Sequence, residues 1–190
     1  MAARGRKRGG QAVKIVVTGP FSAGKTTLIR TISEITVLST ERDITDETRS
    51  RKAETTVAMD FGRITIDTDL VLYLFGTPGQ ERFDFMWEIL GEGMLGYILL
   101  VDPTRPESLE EASGILASFR SMAPVPYVIA VNRVGAVTDE SAQELRNAVG
   151  AADDVRVVPC DATDRSSVRD VLLELLYEVL ASVESAPVHA

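Results

Sequence analysis

The run Gly19-Pro20-Phe21-Ser22-Ala23-Gly24-Lys25-Thr26 places two glycines four residues apart and follows the second with a lysine and a hydroxyl. That spacing suits the binding of phosphate. Glycines let the backbone turn tightly and aim several N–H groups at one point, which makes an anion cradle where a helix begins. Gly19, Phe21, Ser22, Ala23, Gly24, Lys25, Thr26 and Thr27 are the expected phosphate-binding residues. Lys25 would reach the terminal phosphates, and the Thr26 hydroxyl would ligate Mg²⁺. Histidine-based catalysis is excluded in practice, because the lone histidine, His189, lies in the last residues of the chain. Cys160 is the only cysteine, so neither an intrachain disulfide nor a cysteine metal cluster can form.

A cradle of this kind needs a strand entering it and a helix leaving it. Val13–Thr18 supplies the strand, and a helix is expected to start near Gly24. Further strands are expected at Val57–Ile66, Leu70–Phe75, Gly96–Val101, Tyr127–Val131 and Val155–Val158, alternating with helix-period segments. The short Asp67–Asp69 link predicts a hairpin, hence one antiparallel strand in a sheet otherwise parallel. Val168, Val171, Leu172, Leu175, Leu176, Val179 and Leu180 recur at 3.6-residue spacing and predict a long C-terminal helix. Thr104 and Glu107 read as a capping box for a helix through Met122, and Thr138 and Gly150 as the two caps of another. The polar stretch from about Leu38 to Thr55 reads as a long loop, a feature usually retained for function. The fold class is α/β: a P-loop NTPase with three α/β/α layers and a six-stranded, mostly parallel sheet.

Chain-wide properties narrow the partners. The formal net charge is −8, and the cations Arg4, Arg6, Lys7 and Arg8 sit in a head free of acids, so the remainder is more acidic still. Such a body disfavours nucleic acid, which needs a basic face. Residues 1–11 are expected to be a basic tail, 12–183 the nucleotide-binding domain and 184–190 a C-terminal tail. The basic head offers at most a peripheral tether to anionic lipid. It lacks the apolar segment of a signal peptide, and no run approaches the ~20 apolar residues of a membrane span.

Downstream, Phe75-Gly76-Thr77-Pro78-Gly79-Gln80-Glu81-Arg82 resembles the switch II region of Ras-like GTPases, usually D-x-x-G-Q-E. The resemblance covers about residues 12–182. With Thr56-Val57-Ala58-Met59-Asp60-Phe61-Gly62, it is most similar to the actinobacterial conservon D-type GTP-binding proteins and their MglA-like bacterial relatives. It implies that Gly79 senses the γ-phosphate and that Gln80 and Lys25 are catalytic, with Gln80 orienting the attacking water. Thr56, with Thr55 as the alternative, would close over Mg²⁺ from a nucleotide-ordered switch I.

Three departures qualify these expectations. Gly76 stands where the switch II aspartate usually helps to hold Mg²⁺, which makes Asp60 a candidate replacement. Asn132-Arg133-Val134-Gly135 replaces N-K-x-D, so the carboxylate that separates guanine from adenine is missing at Gly135. Asn132 and Arg133 remain as base-side residues, with Cys160, Asp161 and Ala162 in the place of S-A-K. Phe21 occupies the position of a small glycine and would crowd an incoming arginine, which points to an arginine from the chain itself, Arg49 or Arg51.

The implied function is a GTP/GDP switch with slow, Mg²⁺-dependent hydrolysis, in bacterial signalling and in the cytoplasm. Recruitment to the inner face of the membrane would come through partners. The resemblance implies a roadblock-type regulator and sensor-kinase-like signalling proteins as those partners. A non-hydrolysing nucleotide-binding scaffold, a protein of relaxed ATP/GTP specificity and a P-loop metabolite kinase are the competing readings.

Overall fold

The computed structural model describes residues 11–39, 59–79, 84–105 and 107–185. Its layers follow from where apolar side chains can be hidden. In β1 (Gln11–Thr18), Val13, Ile15 and Val17 face one side of the sheet and Val16 the other. β5 (Gly96–Val101) is buried at every position, with Ile98 and Leu100 on the first side and Tyr97, Leu99 and Val101 on the second. Strands buried on both faces need helices on both. On the first side α1 (Lys25–Ile32) and α5 (Arg165–Ser185) contribute Leu28, Ile29, Val168, Val171 and Leu175. On the second, α3 (Glu107–Met122) brings Ile115, Leu116 and Phe119 and α4 (Asp139–Val149) brings Leu145 and Val149. There α2 (Asp84–Gly91) adds Trp87, whose indole donates to Pro78 O at 3.2 Å. Trp87 is therefore part of the core of this second layer.

The remaining strands are β2 (Leu38–Ser39), β3 (Asp60–Asp67), β4 (Leu70–Gly76), β6 (Tyr127–Asn132) and β7 (Val157–Cys160), and the sheet order is β2-β3-β4-β1-β5-β6-β7. β1, β4, β5, β6 and β7 run parallel, and β3 is antiparallel to β4 through the predicted hairpin. The six expected strands are all present. Two details differ. Leu38 and Ser39, read as the start of a loop, pair with Phe61 and Asp60 as a two-residue edge strand too short for any periodicity to announce. The last strand begins at Val157 rather than Val155, because Val155 closes a turn onto Ala152 and packs under the second layer.

The caps of α4 are as expected: Thr138 Oγ1 accepts from Ser141 N, and Gly150 ends the helix at φ 71°. The capping box at Thr104 does not form. Its amide and hydroxyl both donate to Asp102 Oδ1, at 3.1 and 2.6 Å, while Glu107 pairs with Arg105. The nearby buried carboxylate takes the hydroxyl that would have capped the helix. The chain passes from β1 out to β2, β3 and β4 on one side and then from β4 across β1 to β5 on the other, so the sheet order reverses beside β1. Ligands of open α/β sheets bind outside the carboxyl ends of the strands at such a point.

Candidate nucleotide-binding site

The loop from β1 to α1 lies at that reversal. Gly19 has φ 142°, and a Cβ there would fall 2.1 Å from Leu100 O, so the loop can pass over β5 only with glycine. Gly24 has φ 107° and caps α1, and a Cβ on it would lie 2.5 Å from Asn132 Nδ2. Ser22 is also left-handed, at φ 62°. The loop thus arrives at the positive end of α1, whose first turn carries no acid to compete with an anion. Lys25 is buried and curls back, donating from Nζ to Gly19 O at 2.7 Å and Pro20 O at 2.6 Å. A cleft of about 340 Å³ opens over the loop, lined among others by Ser22, Lys25, Thr26, Thr27, Asp60 and Gly79.

Asp60, the candidate replacement for the acid absent at Gly76, lies beside it. The two are directly opposite across β3 and β4, and a Cβ on Gly76 would lie 3.1 Å from Asp60 Cβ and 3.3 Å from its Oδ2. The Asp60 carboxylate therefore fills the space into which a side chain at position 76 would project. Thr26 Oγ1 donates to Asp60 Oδ2 at 2.5 Å, which brings a hydroxyl and a carboxylate together on the cleft wall. That donor set fits Mg²⁺, a hard cation commonly held by one or two carboxylates together with substrate phosphates.

The 77–79 segment is pinned to the same floor. Thr77 N donates to Val17 O at 3.0 Å and its hydroxyl to Thr18 Oγ1 at 2.9 Å. A Cβ at Gly79 would stand 2.6 Å from Phe21 N and 2.8 Å from Lys25 Nζ, so the backbone comes as close to the loop as glycine permits. Half-exposed Phe21 lies against this glycine. Gln80 and Thr56, with Thr55, Arg49 and Arg51, lie outside the described residues.

On the base side, Asn132 is a bracket. Its Nδ2 donates to Ala23 O at 2.8 Å, and its Oδ1 accepts from Arg133 N at 3.0 Å and Ala162 N at 3.1 Å. The amide of Ala162, one of the expected base-side residues, is thus engaged by Asn132. Cys160 is buried in the core under α5, where burial and the neighbouring Asp161 charge push its thiol up to about 12. Its side chain is a packing element rather than a ligand. Asp161 is exposed and accepts from Thr163 N and Oγ1 at 2.8 and 2.6 Å. A Cβ at Gly135 would meet nothing within 4 Å, so the position of the missing carboxylate is open. Arg133, at φ 64°, turns to the phosphate side: Nη1 pairs with Asp102, and Nη2 lies 3.5 Å from Ser22 O.

Asp102, Thr18, Thr77 and Arg105 escaped sequence reasoning. The one available signal was Asp102, an acid directly after the wholly apolar strand β5. Burial pushes its carboxyl up, but the Thr104 hydroxyl and amide and the Arg133 guanidinium outweigh that and hold it below the ordinary range.

Against this geometry, a family model described as "conserved hypothetical ATP binding protein" matches residues 17–182. The chain belongs to that family. An uncharacterized protein of Methanocaldococcus jannaschii is 30% identical over 135 residues, 71% of this chain and 78% of that protein. ADP-ribosylation factor-like protein 3 of Saccharomyces cerevisiae is 24% identical over 182 residues, covering 91% and 88%. The GTP-binding protein ypt4 of Schizosaccharomyces pombe is 29% identical over 119 residues, covering 59% and 46%. With the loop geometry, these similarities make this family member a small-GTPase-like nucleotide-binding protein with the P-loop NTPase fold.

Proposed function

We propose that the chain is a guanine-nucleotide switch that hydrolyses GTP slowly with Mg²⁺. The observation that carries this reading is the contact of Gly79 with both Phe21 and Lys25, directly before Gln80 in the chain. A segment packed that closely on the phosphate loop must shift when a terminal phosphate enters, and Gln80 would move with it. A nucleotide-gated change of order is what a switch requires.

The residues divide the chemistry among them. The loop amides and the N-terminus of α1 bind the phosphate chain, and the Lys25 ammonium neutralises charge that develops on it. Thr26 and Asp60, joined by Thr56, would hold Mg²⁺, which when bound neutralises charge on the β- and γ-oxygens. Gln80 would orient water for in-line attack. Turnover without a regulator should fall on the order of 10⁻⁴ to 10⁻² s⁻¹, as in related classes whose transition-state charge is incompletely neutralised. Similarity in 56–62 and 75–80 supports a conservon-type signalling role in the cytoplasm, with a roadblock-type regulator and sensor-kinase-like partners. In that role the basic head would make any membrane contact peripheral.

The open position at Gly135, together with the printed description of the family, favours a second reading, a protein of relaxed ATP/GTP specificity. Binding of GTP and ATP by the purified chain, with and without Mg²⁺, followed by phosphate release, separates the two. The switch predicts preference for GTP, release reduced at least tenfold by Gln80→Ala and Lys25→Ala, and Mg²⁺ dependence weakened by Asp60→Ala. Equal affinity for both bases would establish the second reading. Tight binding without release would leave a nucleotide-gated scaffold.

A further inference from the structure

We propose that Arg105 is a positioning residue for the phosphate loop, set with Arg133 into one clasp by the buried Asp102. The inference rests on the phosphate-binding reading above, and on neither the identity of the base nor hydrolysis.

Arg105 Nη1 donates to Phe21 O at 3.3 Å, and Arg133 Nη2 lies 3.5 Å from Ser22 O. These are successive carbonyls at the apex of the loop. In a trans peptide the C=O and N–H of one unit point in opposite directions. Holding the Phe21 carbonyl against the Arg105 guanidinium therefore fixes that peptide unit and with it the direction of the Ser22 N–H, at a residue that lines the cleft. The conformation being held is not a relaxed one. Ser22 sits at φ 62° without being a glycine, and such residues persist only where surrounding contacts fix them. A fixed donor needs no reorganisation when the anion arrives, which is where preorganised electrostatics gain their strength.

Asp102 organises both cations through different atoms. Its Oδ2 pairs with Arg133 Nη1, and its Oδ1 is steadied by the Thr104 amide and hydroxyl. Its backbone carbonyl accepts from Arg105 N at 3.2 Å and from Ser108 Oγ at 3.0 Å, closing the turn that presents Arg105 to Phe21. Glu107 Oε1, 3.2 Å from Arg105 Nε, holds the guanidinium from its other edge. Asp102 is only 1% exposed, and its buried carboxylate is compensated by the Thr104 donors on one oxygen and by Arg133 on the other.

The test is equilibrium binding of GTP, ATP and inorganic tripolyphosphate to the full chain with Mg²⁺, with ligand-free melting measured alongside. Arg105→Ala should weaken GTP and tripolyphosphate by the same factor, about five- to twentyfold, as expected for one lost orienting hydrogen bond. The GTP-to-ATP ratio and the ligand-free midpoint should stay put. Arg105→Lys, which keeps a donor for Phe21 O, should recover part of the loss, and it carries the test if the alanine variant fails to fold. Unchanged tripolyphosphate affinity in the variant, or a loss confined to one base, would overturn the clasp. Failure of the unaltered chain to bind any of the three ligands would instead overturn the phosphate reading beneath it.

Discussion

Across the β3–β4 hairpin the Asp60 carboxylate stands in the space that a side chain at Gly76 would take. The carboxylate hangs from β3 instead of β4, and the bare glycine opposite leaves it room. Neither residue explains the other until the register of the hairpin is known. Asp102 shows a comparable dependence on surroundings, and its titration gives a direct check. Its carboxyl is held below the 3.8 of a free aspartate, so its contribution to stability is present above about pH 4 and is lost as pH falls through the lower folded value. Asp102→Asn should therefore flatten part of the fall in melting temperature between pH 5 and pH 3. An acid limb unchanged by the substitution would show that the Asp102 charge does not stabilise the fold.

Among the elements, helix ends written in the local sequence behave differently from those that compete with tertiary partners. Thr138 and Gly150 cap α4 as their residue types dictate, because no stronger partner contests them. Thr104 loses its capping role to a buried carboxylate two residues before it in the chain. Thr138→Ala should cost about 1 kcal/mol. In a domain of this size that lowers the melting temperature by roughly 2–4 °C. Thr104→Ala should leave helix α3 intact and show instead in the Asp102 network, as weaker phosphate binding. Circular dichroism melts and ligand titrations on the two variants distinguish the outcomes. The strands were legible for the same reason as α4: β5 and β6 are unbroken apolar runs, which only a sheet covered on both sides accommodates. The edge strand β2 was not, since two residues carry no period.

For the molecule as a whole, binding and stability are linked. A ligand that binds only the folded state at one hundred times its dissociation constant adds about 2.7 kcal/mol. GTP with Mg²⁺ at that excess should raise the melting temperature by roughly 5–10 °C, converting at the usual scale for a domain this size. ATP at the same concentration should raise it less if the chain is a guanine switch, and equally if the base is not discriminated. A differential melt with the two nucleotides thus reads out the consequence of the open space at Gly135 without any assay of turnover.

The sequence by itself determined the phosphate loop and the parallel sheet with its single antiparallel strand. Each of these is encoded in short runs whose residue types act through local backbone geometry: glycines at the turn, apolar runs at the strands, a short link at the hairpin. Only the tertiary structure decided that Asp60 stands in the space above Gly76, and that Asn132 is spent on Ala23 and Ala162. It also decided that Cys160 is core and that two arginines from separate loops meet successive carbonyls of the phosphate loop. Those facts depend on which strand ends lie side by side, and contacts between residues 30 to 109 positions apart leave no mark in local composition.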